Sequence, residues 1–329
     1  MVVIFGPQND PCVHHTSRYL RQQGEEVLLV EDASRLASGG LCWALDRPHN
    51  ESYFLVDSQP IPFASLSGIL LRTLPENQSQ PEMSLPDQQY IASELQATLV
   101  GVFHALPCPV INRPLPWRFH RSLMAGWEQV NLITGCGLQL PPTLITSRYE
   151  EAACFYAHHG QAIVNTPAKP DHRQSIRGKE GTEELKRLFA QQSLALQAVP
   201  SGQWLQVFVV GQQVFGATPQ SALLEEGIGE PLLQPVELSP TLQQRCCRLV
   251  QGLQIDFAQL CLLQAEREVY CFDIHLLPQY EQCDSRLQER IAAALATLLS
   301  PGEKELRDDS PPGQAGRSDD RLCLHLPAG

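Results

Sequence analysis

The sequence predicts a chain that begins as an α/β fold and continues as α+β. Three observations carry that prediction. The first 30 residues spell an apolar run, a stretch with helical spacing and a second apolar run, the strand, helix, strand order that builds parallel sheets. From residue 199 onward the apolar period shortens to two and the runs come in adjacent pairs, as antiparallel hairpins require. With 43% hydrophobic residues in 329, the chain can bury more than one core without a disulfide or metal staple.

"MVVIF" is the first strand, "VHHTSRYLRQQG" a helix stopped at Gly24, and "EVLLVED" the second strand. "YFLVDS" and "QPIPF" have an edge-like pattern, and "GILLRT" is a buried-looking strand whose Arg72 emerges at its end. A long helix is predicted from Pro86 to Leu106, and "PVIN" at 109–112 closes a first, Rossmann-like lobe of residues 1–112. The stretch "RPLPWRFHRSLMAGWEQVNLITGCG" repeats its apolar positions at three and four, predicting a helix that ends near Gly135 and Gly137. "LQLPPTLITS" then supplies a short strand, and Ser147 is expected to cap the helix "RYEEAACFYAHHG". "QAIVNT" is a strand, while "PAKPDHRQSIRGKEGTEE", polar and carrying Gly178 and Gly181, is expected to be a flexible loop before the helix "LKRLFAQQ". "QWLQVFVVGQQVFGAT" and "FAQLCLLQAEREVYCFDIH" are two hairpins separated by the helix "LSPTLQQRCCRLVQGLQ", and "DSRLQERIAAALATLL" is the last helix. These elements define a second, two-lobed domain of residues 113–299. Residues 300–329 are rich in Pro, Gly and charge without apolar periodicity, and are expected to be a disordered tail.

A formal charge of −12 opposes loose association with nucleic acid or anionic lipid, and no basic patch intervenes. Apolar runs stay well short of the ~18 residues of a membrane helix. The 11 cysteines are scattered without a C-x-x-C pair, as expected for buried thiols of a cytoplasmic protein. Cys246 and Cys247 are adjacent on a helix, which predicts one buried and one partly exposed thiol. His158 and His159 sit at a helix end, where they suit the helix dipole. His14 and His15, near the first turn of their helix, are expected to be solvated or to serve its cap.

Two positions suggest chemistry. Strand residues two apart share a face, so Asp273 and His275 in "VYCFDIHLLPQY" can reach one cation together, or else cap a strand. Arg72 ends a strand of an open α/β sheet, the edge that faces the ligand crevice, where a guanidinium would suit an acidic substrate.

The order of these motifs, an α/β lobe followed by "GLQLPPTLITS", "VFVVGQQVFGA", "FAQLCLL" and "VYCFDIHLLPQY", resembles the ATP-grasp fold over residues 1–299. It is similar above all to RimK-type peptide ligases and graspetide macrocyclases, with a likeness to inositol phosphate kinases in the last strand. The resemblance implies an N-terminal pre-ATP-grasp lobe, ATP with Mg2+ between two α+β lobes, and an acyl-phosphate that an amine attacks. It places the family's metal motif on Asp273 and His275 and its preceding metal-binding acid on Cys261. The family's first lysine falls on Gly126, with Gln129 retained. Its second falls on Thr166, or on Lys169 if three extra residues are allowed, while its strand arginine falls on Gln206 and its linker acid on Ala198. Charge is therefore expected to be scarce where phosphates would sit, implying a weakly active or non-catalytic binding subunit, beside a peptide or small-molecule substrate or an active paralogue. The alternative is a working carboxylate-amine ligase or small-molecule kinase that keeps Gln129 at its cofactor site, uses Lys169, Arg121 or Arg177 as replacement cations, and holds metal on Asp273 and His275.

Overall fold

The computed structural model describes residues 1–31, 40–45, 51–56, 58–72, 83–114, 126–166, 169–189, 194–219 and 232–300. Strands β1 (Val2–Phe5), β2 (Val27–Val30), β6 (Gly68–Leu71) and β7 (Val110–Ile111) form a sheet in the order β2-β1-β6-β7, parallel throughout. Alternation divides its side chains between two cores. Val3, Phe5, Ile69 and Leu71 pack with helix α2 (Leu85–Ala105) and with a small meander of β3 (Leu41–Cys42), β4 (Tyr53–Val56) and β5 (Gln59–Pro62). Val2, Ile4 and Leu70 face the other way, onto helices α1 (Pro11–Gln22) and α7 (Ser285–Leu299).

Helix α7 has a second neighbour. The five-stranded antiparallel sheet β14-β13-β12-β15-β16 presents Phe208, Val210, Phe215, Ala217 and Phe257 to the same cluster, so α7 is buried between two sheets. These strands are β12 (Gln203–Val210), β13 (Gln213–Pro219), β14 (Leu233–Val236), β15 (Phe257–Gln264) and β16 (Val269–His275). The opposite face of the sheet, with Leu205, Val207, Leu260 and Leu262, packs on α3 (Gly126–Gly135) and α6 (Pro240–Gly252). Asp284 begins α7 by accepting the Leu287 N–H (2.7 Å), a carboxylate N-cap. At the other end, Leu299 lies so near β6 that a Cβ on Gly68 would fall 2.1 Å from its carbonyl oxygen.

A third sheet, β10-β9-β11-β8, comprises β8 (Thr143–Thr146), β9 (Gln161–Thr166), β10 (Lys169–Arg177) and β11 (Leu194–Ala198). Ala162, Val164, Leu194 and Leu196 bury one of its faces against α4 (Tyr149–His159) and α5 (Gly178–Phe189).

Two sequence expectations are corrected here. The segment expected to be a flexible loop contains β10 and the start of α5: residues 173–177 pair with Asn165 back to Gln161, and Gln174 is tied to Glu184 of α5 (2.7 Å). Ser147 does not cap α4, whose N-cap residue Arg148 makes no side-chain cap bond. Instead Thr146 Oγ1 accepts the Arg148 N–H and donates to Glu151 Oε2, both at 3.0 Å. Of the helix expected from the stretch that begins at Arg113, Gly126–Gly135 is helical, Arg113 and Pro114 are not, and residues 115–125 lie outside the described residues; the other helices and both hairpins fall where the sequence places them. The tail expected over 300–329 lies outside the described residues, apart from Ser300.

One side chain ties the first sheet to the second. Asn112, at the end of β7, has φ of +57°, a left-handed conformation that Asn tolerates better than branched residues. Its Oδ1 accepts from the N–H groups of Asp256 (3.1 Å) and Phe257 (2.9 Å), and its Nδ2 donates to the carbonyls of Phe257 (2.8 Å) and Leu276 (3.0 Å). Replacing Asn112 with Ala removes all four bonds and leaves the left-handed strain. The expected cost is about 3 kcal/mol, read as a lower urea midpoint, with Asn112→Gly recovering only the conformational part.

Candidate functional site

The strands β12, β15 and β16 carry a polar row on the face turned away from α6. Register alone aligns it: Gln206 pairs with Cys261, Cys261 with Asp273, and Gln259 with His275. Between Cys261 and Leu262 the register shifts, so Cys271 opposes Leu262 and Phe272 is the extra residue of a bulge. Phe272 is buried against the Trp204 ring at 4.8 Å, closing one end of the row with aromatic surface.

Hydrogen bonds run along this row. The backbone N–H of Gln279 donates to Gln259 Oε1 (3.0 Å), Gln259 Nε2 to Gln206 Oε1 (3.1 Å), and Gln206 Nε2 to Cys261 Sγ (3.6 Å). At the edge, His275 Nε2 lies 2.9 Å from Asp273 Oδ2, while Asp273 Oδ1 accepts the Ile274 N–H at 2.8 Å. The alternation read from the sequence thus does place Asp273 and His275 side by side. Each carboxylate oxygen already has a protein partner. Among the described residues, no group of three or more His, Cys, Asp or Glu has an arrangement able to hold a metal ion.

The third sheet has an open face of different character. Ala195 pairs with Ile145, and Gln197 with Thr143 and Ile163, on the side away from α4 and α5. Ile145 is 75% exposed, which is unusual for a β-branched strand residue in a folded sheet. Beside it Gln197 Oε1 is buried without a hydrogen-bond partner, an acceptor waiting for a donor. Ala198 ends β11 and is buried rather than lying in a linker.

The other sequence candidates are dispersed. Lys169 opens β10 opposite Thr166, and Arg177 ends the same strand, exposed, opposite Gln161. Gln129 belongs to α3, and its side chain, like that of Lys169, is outside the description. Arg121 falls outside the described residues altogether. Arg72 does end β6, but it is not on the surface: only 4% exposed, its Nε donates to Asp10 Oδ2 at 2.8 Å. His15 departs from the solvated role expected of it, since its ring packs on Tyr280 at 5.8 Å and its Nδ1 is buried. Sequence reading missed Gln259 and Asn112, because their importance lies in partners 20 and 145 residues away.

No protein-family model matches the sequence, and comparison with curated proteins finds no match. Solved structures are similar in shape. The macrocyclase MdnC bound with precursor peptide MdnA, from Microcystis aeruginosa MRC, superposes with a TM-score of 0.69 over 91% of this chain and 98% of its own, at 15% identity. The chain has the ATP-grasp fold. ATP-grasp ligase PsnB, complexed with a minimal precursor, Mg and ADP, gives a TM-score of 0.68 over 91% of this chain and 97% of that one, at 16% identity. The RimK domain ATP-grasp protein from Sphaerobacter thermophilus DSM 20745 gives 0.52 over 91% and 99%, at 14% identity. At these identities the ATP-grasp fold is shared while side chains are free to differ, so the polar row must be judged on its own chemistry.

The ten described cysteines form no disulfide with one another. Burial pushes the thiols of Cys246 and Cys283 up to about 12, and that of Cys271 higher still. Since the thiolate is the reactive form, iodoacetamide at about pH 8 should label exposed Cys154 and the half-buried Cys247 and Cys261 of the native protein. Cys246, Cys271 and Cys283 should be labelled only after denaturation, as peptide mapping by mass spectrometry would show.

Proposed function

We propose that this ATP-grasp-fold protein is related in function to ATP-dependent carboxylate-amine ligases but turns ATP over weakly or not at all, acting as a binding or partner subunit. One observation carries the reading. Gln206, at the position where the family resemblance expects an arginine, is hydrogen bonded at both ends of its amide, to Gln259 and to Cys261. The row is satisfied without a phosphate. A triphosphate laid along it would meet amides, a thiol and a carboxylate already facing its own imidazole, and an unmatched phosphate charge in a half-dry site is costly.

The nucleotide base fares better than the phosphates. The open face of Ile145, Ile163 and Ala195 offers flat apolar surface, and the orphaned Gln197 Oε1 suits an amino donor such as that of adenine. Solved neighbours bind precursor peptides as well as nucleotide, which supports a peptide as the second ligand.

A second reading keeps the enzyme active, as a carboxylate-amine ligase or small-molecule kinase. Here Asp273 and His275 would hold Mg2+, Lys169, Arg121 or Arg177 would replace the missing cations, and Gln129 would keep its place at the cofactor. The near-complete coverage of ligases solved with Mg and ADP favours it.

The two readings separate by restoring charge. If charge is what is lacking, the wild type shows at most a small thermal shift with Mg-ATP at about 1 mM, and Gln206→Arg combined with Cys261→Asp tightens Mg-ATP binding at least about tenfold. If the site is already complete, the wild type releases ADP with a peptide acid and an amine, and Lys169→Ala and Asp273→Asn each abolish turnover.

A further inference from the structure

Helix α4 has an exposed side that neither the polar row nor the open face of the third sheet uses. Ala152 and Tyr156 form its inward stripe, buried against the sheet face opposite Ile145 and Ala195. Cys154 and His158 fall outside that stripe, and both are exposed. Four residues apart, they put their Cβ atoms about 5–6 Å from one another along one side of the helix. The next pair along, Phe155 and His159, has the same spacing, and its rings meet at 4.6 Å. Side chains so spaced therefore do converge on this helix.

A thiolate and a neutral imidazole are the ligands zinc takes most readily, at about 2.3 and 2.0–2.1 Å, and two ligands one helical turn apart can reach a single metal. Two further features of α4 favour a cation there. The helix contains Glu150 and Glu151 but no lysine or arginine. Cys154 to His158 also span its last turn, where the helix dipole is negative, and Gly160 ends the helix immediately afterwards with its N–H donating to Tyr156 O at 2.8 Å. His159 is held against Phe155, which leaves His158 as the imidazole beside the thiol. Among the described residues no third protein ligand joins the pair, so water completes the coordination and the metal exchanges freely.

We propose that Cys154 and His158 form a two-ligand surface site for Zn2+. On binding, the thiol gives up its proton and the imidazole contributes a neutral nitrogen. Mg2+, which prefers oxygen ligands, is not taken up. The site lies across the third sheet from the face offered to adenine, so it does not rest on the nucleotide reading.

Alkylation reads this site directly, because a thiolate committed to a metal is shielded from iodoacetamide. The full chain, reduced without a thiol reagent and freed of metal, is labelled at about pH 8 with and without a small excess of Zn2+, and the rates at Cys154 and Cys247 are compared by peptide mapping. Zn2+ should slow Cys154 at least about tenfold and leave Cys247 within about twofold. EDTA should restore the rate, and Mg2+ at the same concentration should have no effect. His158→Ala, measured against its own metal-free rate, should lose most of the protection, whereas His159→Ala should keep it. Labelling of Cys154 that ignores zinc, equal slowing at Cys247, slowing that EDTA does not reverse, or full protection surviving in His158→Ala would overturn the proposal. Should His158→Ala fail to fold, the wild-type comparison of Zn2+, Mg2+ and EDTA decides.

Discussion

Helix α7 is the constraint on which the rest of the architecture depends. A helix ordinarily buries one stripe and leaves the other to water. This one is pressed between a parallel and an antiparallel sheet, and Leu287, Ile291, Ala294, Leu295 and Leu299 join both in a single core. Burial of several such side chains, at ~1.5–3 kcal/mol each, fixes the separation of the two sheets. The residues between β16 and α7 are held by the same packing: Tyr280 is wedged among α1, Phe208 and Phe257. The segment from His275 to Tyr280 therefore runs from the polar row to the packing around α1.

Neutrality is the chemical theme of the polar row. Gln206, Gln259 and Cys261 satisfy one another, and Asp273 is held by His275 and a backbone N–H. Such a network costs little when empty, whereas a cluster of like cations awaiting phosphates is strained until its ligand arrives. Arg72 is the reverse case, with a buried Nη1 that has no hydrogen-bond partner. Among the described residues, the buried side-chain polar atoms without a partner belong to His15, Ser67, Arg72, Gln197 and Glu281, none of them in the row where a triphosphate would lie.

Much of this was legible in the sequence because local periodicity and burial coincide. The order of hairpins and helices, and the shared face of Asp273 and His275, follow from alternation alone. β10 was not legible: it is an edge strand whose described buried side chain is Ile176, so its residues carry too little apolar signal to distinguish strand from loop. Asn112 was visible only as the end of a strand, since its four bonding partners come from chain more than 140 residues later. The bulge at Phe272 was equally hidden, because it is a property of how two strands register and not of either strand. Arg72 was placed correctly at a strand end, but its burial depends on Gly6, Asp10 and Tyr280, which no window around residue 72 contains.

The contact between Leu299 and Gly68 has a practical side. Gly68 begins β6, and the edge it marks also holds Met1, whose amino group donates to Ser65 O at 3.1 Å, and Ser300, whose hydroxyl donates to Glu25 at 2.8 Å. Residues 1 and 300 are thereby anchored at the same rim of the parallel sheet, one strand length, roughly 13 Å, from Arg72. A surface-tethering handle or reporter dye attached at either position departs from the far side of the molecule. Rejoining those two points through a short linker would keep both rim anchors in place, whereas opening the chain at Gly211 would cut the turn whose N–H bonds Asp256 O at 2.7 Å.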